Sequence, residues 1–241
     1  MRGSTLILLV CILAGTLVLG ALGTWQVKRL FWKEGLIETI NNRVDREPIE
    51  LISLAGQRLN REKHEYLPVS AKGIFDHSSE VYFFTTGPRG VSGWNVHTSF
   101  ELDGGKRLII NRGFVPFEMK NPSSRPQGQV TGEQKIDGLL RVPMPEKPFG
   151  SLDNDLAKRE FYWRSLDDMK RIMGNREGEY LPVIIDATEA SNPSGWPRGG
   201  TTILSFPNNH LQYAITWYGL VLALWGVGFF FLYSRRREKN G

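Results

Sequence analysis

The feature that most constrains this chain is where its charges are missing. No Lys, Arg, Asp or Glu occurs in residues 3–27, a run of 25, or in residues 199–234, a run of 36. A helix rising ~1.5 Å per residue crosses the ~30 Å hydrocarbon core of a bilayer in about 20 residues. Both runs therefore read as transmembrane helices, over residues 5–27 and 210–233. The first run has a rival reading as a cleaved signal peptide, with Ala21-Leu22-Gly23 offering small residues at a cleavage-like spacing. Against it stand the single basic residue, Arg2, ahead of a long apolar run, and the helical spacing of Trp25, Arg29 and Trp32 beyond it.

The flanks set the orientation. Arg235, Arg236, Arg237 and Lys239 crowd the end of the second run, and short basic segments stay cytoplasmic. Two spans then put residues 1–4 and the tail 234–241 on one side and residues 28–209 on the other, in the periplasm or its equivalent. Lys28, Arg29 and Lys33 argue the other way; the denser tail outweighs them. The aromatic residues fit two spans: Trp25, Phe31 and Trp32 at the outer end of the first, Tyr213, Trp217 and Tyr218 at the outer end of the second, and Tyr233 at its inner end. Gly219, Ala223 and Gly226 thin one face of the second helix, and Gly15, Gly20 and Gly23 thin the first. Close packing of the two helices, or of either against a partner's, is expected there.

This partition also disposes of the net charge. The chain carries +5, but residues 28–234 hold 25 basic and 24 acidic side chains. A nearly neutral middle removes the electrostatic footprint that nucleic-acid binding needs. One cysteine, Cys11, excludes an intramolecular disulfide framework and a Cys-rich zinc site.

The middle reads as a juxtamembrane helix over residues 28–44 followed by strands at residues 66–75, 81–86, 96–102, 107–115, 134–142, 181–188 and 201–206. Asp103-Gly104-Gly105 predicts a hairpin turn. Ser165 caps a helix that carries Asp167 and Asp168 in its first turn, Leu166, Met169, Ile172 and Met173 on one face, and a stop at Gly174. The class is a membrane protein with two terminal transmembrane α-helices flanking a β-rich α+β exported domain, open to closure as a barrel.

No nucleophile elbow, HExxH, P-loop or GxGxxG is present, and His64, His77, His97 and His210 form no ligand pair at helical spacing. A non-enzymatic role is expected. His210 stands apart because it lies where chain meets bilayer. A neutral imidazole there can ligate haem iron, with Tyr213 and Trp217 on the same helical face as pocket walls. The alternative is an interfacial histidine that hydrogen-bonds backbone groups freed at a helix start.

Four blocks now make the chain familiar. They are Gly23-Thr24-Trp25-Gln26-Val27-Lys28-Arg29 with Trp32-Lys33; Gly93-Trp94-x-Val96 with Ile110-Asn111-Arg112-Gly113-Phe114-Val115-Pro116; Phe149 to Asn154 with Phe161-Tyr162-Trp163-Arg164; and Pro207-Asn208-Asn209-His210-Leu211-Gln212-Tyr213-Ala214-Ile215-Thr216-Trp217-Tyr218. In this set the chain resembles the Surfeit locus 1 family of cytochrome c oxidase assembly factors, departing where Phe114 replaces a usual Trp. The resemblance implies help in maturing the catalytic subunit of haem-copper oxidase, by delivery or stabilisation of haem a, with haem a synthase as a further candidate partner. It matches the family's membrane-proximal histidine to His210. Trp25, Arg29 and Arg112 become candidate partner or headgroup contacts, and Arg112, or Lys28 and Arg29, candidates to pair with haem propionates. With no presequence ahead of the first span, a bacterial inner membrane with both termini cytoplasmic is expected. A cofactor-free scaffold for oxidase subunits, and an exported enzyme or sensor on a membrane hairpin, are the competing readings.

Overall fold

The structure is a computed structural model that describes residues 2–54, 56–87, 90–174, 180–189, 195–202, 204 and 207–240. It falls into two compact units, one of Met1–Ile40 with Ser205–Gly241 and one of Asn41–Leu204.

The first unit is an antiparallel helix pair. Helix α1 runs unbroken over Arg2–Val44, its last turn reaching into the second unit, and the C-terminal helix over His210–Asn240. The expected boundary between a span and a juxtamembrane helix near residue 28 is therefore not a break, and the basic tail continues the second helix through Asn240. Nothing between Trp25 and Val44 stops a helix, because Gly35 is a lone glycine and proline first appears at Pro48. Both helices are long and apolar enough to cross a membrane. Leu6, Ile7, Leu17, Leu222, Val227 and Phe229 point outward, exposed, as lipid-facing side chains do.

Small residues bring the two helices together, though not all those expected. A Cβ at Gly15 would lie 2.9 Å from Leu224, and one at Gly23 2.9 Å from the Tyr218 ring; Gly228 receives Ile12. Gly219 and Gly226 instead face open space, as does Gly20. Polar side chains cross the same seam. Thr24 Oγ1 and the Tyr218 hydroxyl share a 3.1 Å hydrogen bond, Trp225 Nε1 donates to Thr16 Oγ1 at 2.9 Å, and Lys33 donates to the Pro207 carbonyl.

The second unit is sheet-rich, with seven strands among the described residues: β1 (Ile49–Glu50), β2 (Pro68–Thr86), β3 (Ser92–Leu102), β4 (Arg107–Pro116), β5 (Glu133–Arg141), β6 (Glu160–Phe161) and β7 (Tyr180–Ala187). Two short helices interrupt them, α2 (Arg61–His64) and α3 (Leu166–Ile172), which makes the C-terminal helix α4. The pairings form a closed circuit. β2 pairs β3, β3 pairs β4, β4 pairs β7 in parallel, β7 pairs β5, and β5 returns to the first half of β2. One strand serves two neighbours because β2 is 19 residues long and shifts register between Asp76 and Val81. Expected strands 66–75 and 81–86 are thus one strand. Tyr66 stays outside it because its φ of 60° is left-handed. Of expected strand 201–206, Thr201, Thr202 and Leu204 belong to no strand, and the rest lies outside the described residues. The two-residue strands β1 and β6 carry too few residues to show a period.

Alternate residues fill the inside of the circuit, among them Val69, Phe75, Phe100, Leu108, Ile110, Ile136, Leu140 and Ile185. On the outside, α3 lays Met169 and Met173 over Val81, Ile109, Phe161 and Ile184, as its apolar face predicts. Ser165 Oγ accepts from Asp168 N, and Gly174 ends the helix region with φ +81°. Gly104 and Gly105, at φ +93° and +77°, make the expected turn between β3 and β4, with Leu102 N donating to Lys106 O at 2.8 Å. Phe100 is fully buried at the middle of the inner face. Phe100→Ala is expected to lower the unfolding free energy by about 3–5 kcal/mol, read by denaturant titration of the intact protein in detergent.

Candidate functional site

His210 is the first residue of α4 and stands opposite Gln26 of α1 in the helix pair. Its Nδ1 lies 2.7 Å from Gln26 Oε1. A carboxamide oxygen only accepts, so Nδ1 carries the proton and donates it. In that tautomer the lone pair lies on Nε2. The Gln26 side chain is buried, whereas His210 is half-buried. The expectation of a backbone-bound interfacial histidine is replaced by a side-chain partner from the other helix. Gln26 belongs to the first of the four sequence blocks, but no spacing rule pairs residues 184 apart.

Tyr213 and Trp217 follow at three and seven residues, on the same side of α4. Tyr213 is 53% exposed and Trp217 half-buried. His210, Tyr213 and Trp217 thus lie along one side of α4. The His210–Gln26 bond has the form seen where a metal-ligating histidine donates its other N–H to a fixed oxygen, which orients the ring and sets its tautomer. On α1, Trp25 is 55% exposed, and the Arg29 guanidinium lies 3.8 Å from the centre of the Trp32 ring rather than on Trp25. Both Trp25 and Arg29 are accessible.

Arg112 is a correction. It is 2% exposed, stacked 4.7 Å from the centre of the Phe75 ring, and committed to Glu80 Oε1 at 3.4 Å and to the Gly128 carbonyl. A headgroup, a propionate or a partner does not reach it. Glu80 is itself held by a bidentate pair from Arg125, by Gln129 at 3.2 Å and by the Tyr82 hydroxyl at 3.2 Å. Burial pulls the Arg112 guanidinium down to about 10, with Arg125 adding to the fall and Glu80 opposing it. Burial, and then Glu80, push the Tyr82 hydroxyl up to about 12. Removing Glu80 would leave two buried guanidinium groups without their counter-ion, the costly way to break such a cluster.

A second polar group lies on the outer face. His97, Asn111 and Asp186 stand side by side across β3, β4 and β7. Asp186 accepts from Asn111 Nδ2 at 2.8 Å, Arg141 at 2.6 Å and Thr202 at 3.1 Å, with Arg164 at 3.5 Å. Burial alone would raise its pKa; Arg164, Arg141 and the Asn111 bond overcome this and hold it at about 2. His97 is fully buried, and burial, aided by Arg164, pushes it down to about 4. The alternation of Val96, Thr98, Phe100 and Leu102 predicts the inner face of β3 but not that its other face is covered as well.

The site and fold together define a chain that carries a sheet-rich domain between two terminal apolar helices, with a histidine fixed by its neighbour helix at the junction. The chain belongs to the SURF1 family, whose model matches residues 13–222. It is 37% identical over 222 residues to Surfeit locus protein 1 of Xenopus tropicalis, covering 84% of this chain and 68% of that protein. To the Homo sapiens protein of the same name it is 37% identical over 221 residues, covering 84% and 70%. To a SURF1-like protein of Monosiga brevicollis it is 35% identical over 237 residues, covering 91% and 84%.

The buried histidine gives a pH dependence with a definite sign. A histidine depressed in the folded state to about 4 binds its proton more weakly there than in the unfolded chain, whose value is near 6.5. Its contribution is intact above pH 6.5 and is lost as pH falls towards 4, by up to about 3 kcal/mol. His77, lowered by burial and then by Arg112, adds in the same direction. Asp186 contributes only to a later loss, as pH falls from about 4 to about 2. In urea titrations between pH 7 and 4, His97→Gln is expected to flatten the slope; an unchanged slope would contradict the assignment.

Proposed function

We propose that this protein is a non-enzymatic assembly factor for haem-copper oxidase, anchored by α1 and α4 in a bacterial inner membrane with both termini cytoplasmic and the sheet domain in the periplasm. Its partners are the oxidase catalytic subunit and haem a, with haem a synthase as the source of the cofactor. Family membership and the resemblance in the four sequence blocks support the oxidase. The closed circuit of pairings supports a small barrel as the exported domain. The uncharged helices and the basic tail support the topology.

The observation that carries the cofactor reading is the 2.7 Å contact of His210 Nδ1 with Gln26 Oε1, which leaves Nε2 as the free ligand atom. His210 would hold haem iron through Nε2, and Tyr213 and Trp217 would flank the ring. Haem, when bound, supplies an iron centre destined for the oxidase. Everything else falls to the chain. Gln26 keeps the proton on Nδ1, the helix pair keeps His210 at the edge of the hydrocarbon, and the surrounding lipid suits an isoprenoid-tailed cofactor. Lys28 and Arg29 lie within one turn of Gln26, where a negative group at the headgroup level would find its counter-charge.

A scaffold that holds oxidase subunits without cofactor is the second reading. It is favoured by the fully exposed Phe149 and the exposed Leu152 and Met144 on the segment after β5. Membranes from a strain lacking the gene should show reduced haem a absorbance and oxidase activity, restored by the wild-type gene. Restoration by His210→Ala to the wild-type level would favour the scaffold, and normal oxidase in the deletion strain would contradict both readings.

A further inference from the structure

The outer face of the sheet domain holds a cavity of about 210 Å³ that the assembly role does not use. Its floor and walls include Phe83, Tyr162 and Trp163, and the guanidinium groups of Arg61, Arg141 and Arg164 line it. Two of the three carboxylates nearby are already engaged. Glu65 takes Arg141 Nε at 2.9 Å on one oxygen and Val142 N at 2.8 Å on the other. Asp186 is filled by Asn111, Arg141 and Thr202. Glu146 sits on the exposed rim.

Arg141 is therefore matched, and Asp186 and Glu65 hold its pKa above the usual guanidinium value against the effect of burial. The other two guanidinium groups are paired more loosely. Arg164 reaches Asp186 only at 3.5 Å and lies 5.5 Å from the centre of the Phe83 ring; Arg61 reaches Glu65 at 3.8 Å. Each guanidinium has five N–H donors in a planar fork that suits a carboxylate. Two such forks, each held by a single ion pair of 3.5 Å or longer, stand beside an aromatic wall with N–H donors that these pairs do not use. The volume is below the ~300–1,000 Å³ of sites for drug-sized ligands, so the occupant is about the size of one side chain.

We propose that this cavity binds a carboxylate carried on a small apolar body. Such a group is supplied by a free acid or by the C-terminal residue of a partner polypeptide. Arg164 and Arg61 take the carboxylate, and Tyr162, Trp163 and Phe83 take the apolar part. This is independent of haem and of His210.

The test is calorimetric titration of the full-length protein in detergent with N-acetylphenylalanine, with its amide, and with a decapeptide ending in phenylalanine with a free carboxylate. The acid is expected to bind saturably and the amide roughly tenfold or more weakly, the loss that follows when a charge-assisted pair is removed. Arg164→Gln is expected to weaken the acid by a similar factor. Arg61→Gln, at an exposed position, should weaken it less and leave the melting temperature unchanged. If Arg164→Gln does not fold, Arg61→Gln and Trp163→Ala carry the comparison. Competition by the decapeptide supports a chain terminus as the source, and binding of the acid alone supports a free acid. Absence of saturable binding by acid and peptide, equal binding of acid and amide, or affinity unchanged in the folded variants would overturn the proposal.

Discussion

Two apolar runs that the protein itself does not bury set the terms for the rest of the chain. Most of the side chains along α1 and α4 point away from the rest of their unit, and an apolar medium is what would bury them. In such a medium the few polar groups on the helices need partners on the facing helix. They have them: Thr16 with Trp225, Thr24 with Tyr218, Gln26 with His210 and Lys33 with the Pro207 carbonyl, in order along the seam. The functional assignment rests on the third of these bonds, because it decides which nitrogen of His210 is free.

The sheet domain solves a different problem. It closes its strands on one another so that β2 pairs on both edges. Closure leaves few strand edges to template other chains. Coverage of the outer face by α3 and β6 then buries polar residues that an open sheet would leave in water. His97, Asn111 and Asp186 are the result; Glu80, Arg112 and Arg125 are buried elsewhere, against the segment 119–129. Asp186 and Glu80 are each hydrogen-bonded into a network, which is the condition for tolerating buried charge. The Arg61–Arg164 cavity lies where one network meets the surface with donors to spare.

What the sequence reveals follows from how far its signals reach. Missing charge over 25 and 36 residues is a local property, and it locates both helices, though not their continuation past residue 28 or 233. Alternation and turn residues locate β3, β4 and the Gly104-Gly105 turn, and the Ser165 cap locates α3. The merging of two expected strands into β2 depends on register with β3 and β5, which no local pattern carries. The same holds at the sites. His210, Tyr213 and Trp217 share a face by spacing alone, so the set is legible. Gln26 is not, since its role comes from the meeting of two helices at opposite ends of the chain. Arg112 looked like a free cation in a strand because burial on both faces of a sheet leaves no mark on a single residue; the structure gives it to Glu80.

The central claim is that His210 offers Nε2 to haem iron. Its most direct measurement is the absorption spectrum of the protein purified from cells that make haem a. The account predicts a Soret band in the wild type that is lost in His210→Ala while the variant remains folded in the membrane fraction. Wild-type protein without the band, or a band of undiminished strength in His210→Ala, would contradict it.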